Sequence, residues 1–599
     1  MLILQRWLRG RWSVPLIALL GVALNLPGLG ARLTGDDFLQ WSLLTADTPA
    51  SPPRGSLFGL FDLVKGGAAY VQAMKDSGRL LWTAADTLHM SFWRPVSEFS
   101  HWLDYQLWPD SPALMHAHSL LWYAVLVLML GNFYRLLDRN RTRGSVAIGL
   151  YAISGLHFYA IAWLAARNQL ISTCFTVAAL TCHHLWRTGK GRRYAALAMG
   201  LTMLGLASAE AAVATLAYLA AYEWALQADR RWRDRALALL PYVLIVVAWR
   251  LFYNHAGYGA MGSGSYIDPG STPGRFGLAV VLRLPALLLA QLTGASAAIP
   301  QFFSLEGKVA YAMAATAAAL LMAWILHGMG LWRHALMRFY GLGTLLALVP
   351  ICAIESNDRV LINAEIGMNG MLALLVYHLA TKGRQARLSG IRPRLVRAGA
   401  MLIIGIHALL FPIACITGAW ITRALIPVSY AQPLSLPDAA GTPGVHMIVV
   451  NPPLPGLLYY YPMIRRYAGM HNPASIQALA TGLNQDLSLT VLDDHTIRLR
   501  SGKAFQEPLM RDLVTLPFKP GDTVRMGQVQ VVVETINKQG APMSARFRFD
   551  QPLRDPTWAF YVWQDTGYVP LTWPTMGHTL YLPAMDMKKA MWNSVRHTP

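Results

Sequence analysis

The stretch Leu33-Thr34-Gly35-Asp36-Asp37-Phe38-Leu39-Gln40 follows the first long apolar run of the chain, about residues 14–29. It opens a mostly polar segment that ends near His116. Two adjacent carboxylates at the mouth of an apolar helix decide how the flanking sequence is read, because an acidic side chain inside hydrocarbon costs several kcal/mol. The pair lies either in interfacial water or against a polar cavity. The second reading makes Asp36 and Asp37 candidate chemistry rather than solvated helix ends.

On the N-terminal side, Arg6, Arg9 and Arg11 precede the apolar run, which reads as a retained signal anchor with a cytoplasmic N-terminus. On the C-terminal side, residues 30–115 then belong to the far side of the membrane. Nine acids (Asp36, Asp37, Asp47, Asp62, Asp76, Asp86, Glu98, Asp104, Asp110) face six Lys or Arg there. That reverses the chain-wide bias, as expected of a translocated loop. Phe92, Val96, Phe99, Leu103 and Leu107 recur at helical spacing with Trp93, Trp102 and Trp108 nearby. They predict an amphipathic helix on the outer membrane surface.

The whole composition agrees. Of 599 residues, 54% are hydrophobic and 14% charged, with a formal charge of +20. Soluble domains carry about 25% charged residues, so much of this chain faces lipid. The basic excess sits between apolar runs, which speaks for membrane topology and against nucleic-acid binding. Cys174, Cys182, Cys352 and Cys415 lie in apolar runs without CxxC spacing, so neither a zinc site nor a disulfide framework is indicated.

Further spans are expected at about 118–136, 146–165, 170–186, 236–253, 309–326, 339–354, 361–379 and 398–421. Basic blocks such as Arg139 to Arg143 and Arg187 to Arg193 mark cytoplasmic turns. Residues 194–226 are interrupted by Ser208-Ala209-Glu210 and read as two short spans turning at Glu210. Residues 278–299 carry Arg283, Pro285 and Gln291. They read as re-entrant or interfacial, because the basic segment 382–397 must be cytoplasmic. The expected total is about 11 crossings, with the C-terminus outside.

Beyond about Arg423 the long apolar runs stop. Val445 to Val450, Thr523 to Glu534 and Ala545 to Phe549 read as strands, Pro520-Gly521-Asp522 as a turn, and Ser475 to Leu483 as a short helix. The expected organisation is a polytopic α-helical membrane domain over 1–424 and a mostly β, α+β extracytoplasmic domain over 425–599.

Gly35-Asp36-Asp37-Phe38 combines with four further features: Phe92-Trp93-Arg94-Pro95 before the surface helix, His116 and His118 at the start of the second span, Ala166-Arg167-Asn168-Gln169 after the third, and Ser208-Ala209-Glu210. A fifth is Asn357-Asp358-Arg359-Val360 before a late span. In their order and placement these motifs resemble the polytopic GT-C glycosyltransferases that use lipid-linked sugars, such as protein mannosyltransferases and aminoarabinose transferases. The resemblance covers roughly residues 1–424. It implies a bacterial-type inner-membrane enzyme that moves a sugar from a polyprenyl-phosphate donor to an extracytoplasmic acceptor. In that scheme Asp36 or Asp37 takes the acceptor hydroxyl proton. Arg94, Arg167 and Arg359 hold the leaving phosphate, and Glu98, His101, Glu210 and Asp358 are further cavity candidates. Some members of the family use a divalent cation at such carboxylates; no full ligand set is legible here, and the metal stays undetermined.

Two other classes compete. One is a transporter or flippase for a lipid-linked substrate, although the long first loop has no counterpart in the second half. The other is a non-catalytic membrane scaffold that displays the C-terminal domain, whose aromatics (Trp558, Phe560, Tyr561, Trp563, Tyr568, Trp573) either bind sugar or form a core.

Overall fold

A computed structural model describes residues 2–45, 58–382, 391–483, 485–505, 510–564 and 567–585. Asp47 and the centre of the basic segment 382–397 lie outside them. The chain forms two compact units. One comprises Met1–Arg32, Trp93–Ala256 and Ile267–Thr422; the other Leu33–Phe92, Gly257–Tyr266 and Arg423–Pro599. The predicted first loop is therefore divided, with residues 33–92 grouped with the C-terminal region and the surface helix grouped with the helices.

The first unit is helical. Six helices among the described residues are long and apolar enough to cross a membrane, or seven if the pair Arg141–Ala152 and Gly155–Ala162, bent by 47°, is one span. Their exposed faces are apolar: on Trp232–His255, Leu237 and Leu244 are 64% and 58% exposed. Water does not tolerate so much contiguous apolar surface, whereas lipid does. The interior instead carries tyrosines. Buried Tyr218 donates to the Asn363 carbonyl (2.9 Å) and accepts from the Gly367 amide (2.9 Å), satisfying backbone groups where no water reaches.

The surface helix is Pro95–Leu107, and its burial is inverted relative to a soluble helix. Ser97, Glu98, Ser100, His101 and Asp104 are buried, whereas Phe99 and Leu107 are more than half exposed. The interruption near Glu210 is also present: Arg193–Leu206 ends, Glu210–Val213 makes a 3₁₀ turn, and Ala214–Ala225 follows. The run read as re-entrant or interfacial forms one helix, Pro273–Thr293, long and apolar enough to cross a membrane. Its Arg283 donates to the carbonyls of Cys352 (3.0 Å) and Ile354 (2.8 Å), so an interior guanidinium is satisfied without a reversal of the chain.

Helix ends in this unit sort by charge. Pro112–Leu137, Arg167–Arg187 and Ala214–Ala225 end beside Arg135, Arg187 and Arg230. Arg135 bonds the Leu8 and Gly10 carbonyls, Arg143 bonds Asp138, and Arg187 bonds Glu223. The opposite ends of the same helices gather the polar clusters described below.

The second unit is mostly β. A six-stranded antiparallel sheet runs Thr579–Leu582, Leu487–Asp493, Thr496–Ser501, Pro542–Phe549, Val529–Ile536, Thr523–Met526. A four-stranded mixed sheet runs Gly567–Pro570, Trp558–Gln564, His446–Val449, Ser475–Ala478. The predicted alternation holds: Phe547 and Phe549 are buried while Arg546 and Arg548 are exposed. Ser475–Ala478, read as helix, is a strand parallel to His446–Val449 with all four residues buried. Burial on both faces overrides the helical pattern. Trp82, from the first loop, sits in this core against Phe505, Phe518 and Phe547, its indole donating to the Leu479 carbonyl at 2.9 Å. The C-terminal aromatics Trp558, Phe560, Trp563 and Tyr568 are buried, and Phe549 meets Trp558 and Phe560 edge to face. They build the core rather than a stacking platform.

Candidate functional site

Arg94 precedes Pro95, and proline at the first helical position starts Pro95–Leu107. The start of the helix is tied to the break before Glu210: the Val96 amide donates to the Ala207 carbonyl (3.1 Å) and the Ser97 hydroxyl to the Ser208 carbonyl (2.8 Å). This brings Arg94 onto Glu210, with Nη2 and Nε donating to Oε2 at 2.7 and 3.1 Å. The Tyr253 hydroxyl donates to the other oxygen at 2.9 Å. Glu210 is thus the partner of an arginine, and the pair stays partly exposed.

Further along the same helix, Asp104 meets Arg167, which begins Arg167–Arg187. Arg167 is fully buried. It donates to Asp104 (2.5 Å), the Ser119 hydroxyl (2.9 Å) and the Met115 carbonyl (2.7 Å). Asp104 also meets His118 Nδ1 at 2.6 Å, and the Trp122 indole donates to His118 Nε2 at 3.1 Å. His101 is buried beside this cluster. Burial first, and then the neighbouring Arg167 and His118, hold its pKa well below the ordinary imidazole range, so it is neutral at pH 7. Arg167 therefore braces three helix ends with its own donors.

Asn357 caps the turn Asp358–Val360 through a bond from the Arg359 amide (3.1 Å). Asp358 is buried and accepts from the Ser296 hydroxyl (2.7 Å) and the Ala297 amide (2.6 Å). Burial outweighs these bonds and raises its pKa. Arg359 lies over the Trp163 ring at 4.8 Å. A guanidinium stacked by its face keeps its N–H fork at the edge, the geometry that suits a phosphate. Trp163 stands in the broken segment leading to Arg167, so Arg359, Trp163, Arg167, Asp104 and His118 follow one another at this end of the helical unit.

Asp36 and Asp37 belong to the second unit and do different work. Gly35 takes a left-handed φ of 50° and turns the chain into the helix Asp36–Thr45. The Asp37 amide bonds the Thr34 carbonyl, and the Asp37 carboxylate accepts from the Thr34 amide, both at 3.0 Å. The Asp37 carboxylate thus satisfies the amide of a residue just before the helix start, and Asp37 is buried. Asp36 instead accepts from the Tyr460 hydroxyl. Burial, and then Asp36, raise the Tyr460 pKa well above the ordinary phenol range, so Tyr460 remains a donor. The helix is held by Phe38 against Tyr430 and Tyr467, and by Arg466 over Trp41 at 4.8 Å.

Among the described residues no group of three or more His, Cys, Asp or Glu side chains is arranged for a metal ion. The doublet offers a cation two carboxylates, of which Asp37 already accepts from the Thr34 amide.

The sequence reading reached Arg94, Glu98, His101, Arg167, Glu210, Asp358 and Arg359. The structure joins Arg94 to Glu210 and places His101 beside Arg167, with Glu98 buried on the same helix. Asp104 as the partner of Arg167, and also Tyr253, Trp163 and Tyr460, emerge only from the structure. Asp104, three residues past His101 on a helix whose polar face is buried, was the one signal available. Also missed was the buried contact of His157 with Glu365 at 2.8 Å. No protein-family model and no curated protein matches the chain.

Proposed function

We propose that this chain is a multi-pass membrane glycosyltransferase of GT-C type, taking a sugar from a polyprenyl-phosphate donor to an extracytoplasmic acceptor. The observation that carries this reading is the gathering of Arg94–Glu210–Tyr253, Asp104–Arg167–His118 and Asp358–Arg359 at one end of the helical unit, opposite the arginine-rich helix ends. That segregation supports an outward-facing polar end and a cytoplasmic N-terminus on an inner-membrane protein. The resemblance gives Asp36 the general-base role, while Asp37 is tied to the Thr34 amide. Arg359 and Arg94 meet the phosphate, while Arg167 positions the helices that carry them.

The test is sugar release from a polyprenyl-phosphate donor by purified protein in lipid. Asp36→Asn and Arg359→Ala are expected to abolish or cripple turnover. Wild-type turnover in both would overturn the assignment.

A transporter is the second reading, favoured by the helix pair broken at residues 153–154 and by the buried His157–Glu365 contact. Flux of a lipid-linked substrate across sealed vesicles that survives Asp36→Asn but not Glu365→Gln would select it.

A further inference from the structure

The second unit contains a partly open cavity of about 290 Å³, at the lower end of the range of ligand pockets. Its walls come from the strand Asp62–Val64, the strand His89–Ser91 and the 3₁₀ turn Pro455–Tyr460, with Leu63, Leu80, Met90, Leu457 and Met510 among the lining residues. Nearly all of that wall is aliphatic. The polar side-chain groups on it are the hydroxyls of Tyr459 and Tyr460, and both are engaged. Tyr459 donates to the Leu63 carbonyl at 2.6 Å, and Tyr460 donates to Asp36. A water in such a space lacks the two to four polar partners it needs. A sugar ring brings several hydroxyls, each costly to desolvate without a partner. What the wall rewards is a flexible apolar chain, through the area it removes from water.

We infer that this cavity binds a single aliphatic chain, acyl or prenyl, of an amphiphile. Asp36 sits directly behind one wall residue, so chain occupancy and the Tyr460–Asp36 bond share a side chain. The inference stands on the cavity alone and does not require the transferase reading.

The test uses the full chain in nanodiscs and two photoactivatable probes, a diazirine-bearing acyl phospholipid and a diazirine-bearing farnesyl phosphate. Cross-linked peptides are then mapped. Label is expected on the peptides holding Met90, Leu457 or Met510, competed by excess unlabelled lipid and reduced at least tenfold by Leu457→Trp, which fills the space from a half-buried position. Label from the first probe alone assigns an acyl chain, and from the second alone a prenyl chain; either supports the inference. Label confined to the membrane helices with both probes overturns it, as does label on those peptides that Leu457→Trp leaves unchanged. If Leu457→Trp does not fold, Met90→Phe with the wild-type peptide map decides. Sugar-transfer activity is a separate readout: its absence with cavity labelling intact defeats only the transferase proposal.

Discussion

Asp36 and Asp37 are identical in chemistry and adjacent in sequence, yet hydrogen bonding separates their roles. The Asp37 carboxylate accepts from the Thr34 amide, whereas Asp36 meets a tyrosine hydroxyl. Asp37→Ala is therefore expected to lower stability by about 1 kcal/mol through loss of that bond, read as a fall in thermal midpoint, while retaining turnover when folded. Asp36→Asn is expected to leave the midpoint nearly unchanged and remove sugar transfer. Arg359 gives the second residue-scale prediction. Lysine keeps the charge but loses the planar fork and the stack on Trp163. Arg359→Lys is expected to cost about 2 kcal/mol of a charge-assisted contact, seen mainly as a rise of about 30-fold in KM for the donor.

At the scale of elements, close helix contact depends on single residues. A Cβ on Gly367 would lie 2.2 Å from the Thr344 hydroxyl and 2.3 Å from the Tyr340 carbonyl. Gly367→Ala must push helix Ala364–Lys382 off Ala335–Ile351, and about 1–3 kcal/mol of destabilisation is expected by thermal unfolding in detergent. In the six-stranded sheet, Arg498 and Arg546 stand opposite each other across neighbouring strands, a repulsive placement offset by Glu534. Glu534 accepts from Arg498 (2.8 and 2.9 Å), Ser544 (2.8 Å) and Arg546 (3.0 Å). Burial alone would raise its pKa, but these bonds hold it below the ordinary value of 4.5. The stabilisation is complete above pH 4.5 and is lost as pH falls through the lower folded-state value. Unfolding midpoints measured between pH 7 and pH 3 are expected to fall more steeply for wild type than for Glu534→Gln, which is the less stable of the two at pH 7.

At the scale of the whole molecule, the sorting of helix ends by charge implies two faces of the helical unit. Single cysteines placed at the exposed positions Arg193 and Asp110, in a background without the four native cysteines, are expected to react with an impermeant maleimide from opposite sides of sealed inverted vesicles. Labelling of both from one side would refute the alternation on which the crossing count rests.

Much was legible from sequence because the governing terms are local. An apolar run between arginines, the alternation of Arg546 to Phe549 and the interruption before Glu210 each follow from solvent preference along a few residues. The sequence by itself determined a lipid-facing helical region, a β-rich C-terminal region and charged motifs beside helix ends. Only the tertiary structure decided which charges pair: Arg94 with Glu210 across 116 residues, Arg167 with Asp104 across 63, and Tyr460 with Asp36 across 424. It also made Ser475–Ala478 a strand and moved Trp82 of the first loop into the β core. The reason is physical: a buried polar group or a strand edge is satisfied by whatever the fold brings to it, and no local pattern encodes that distant partner.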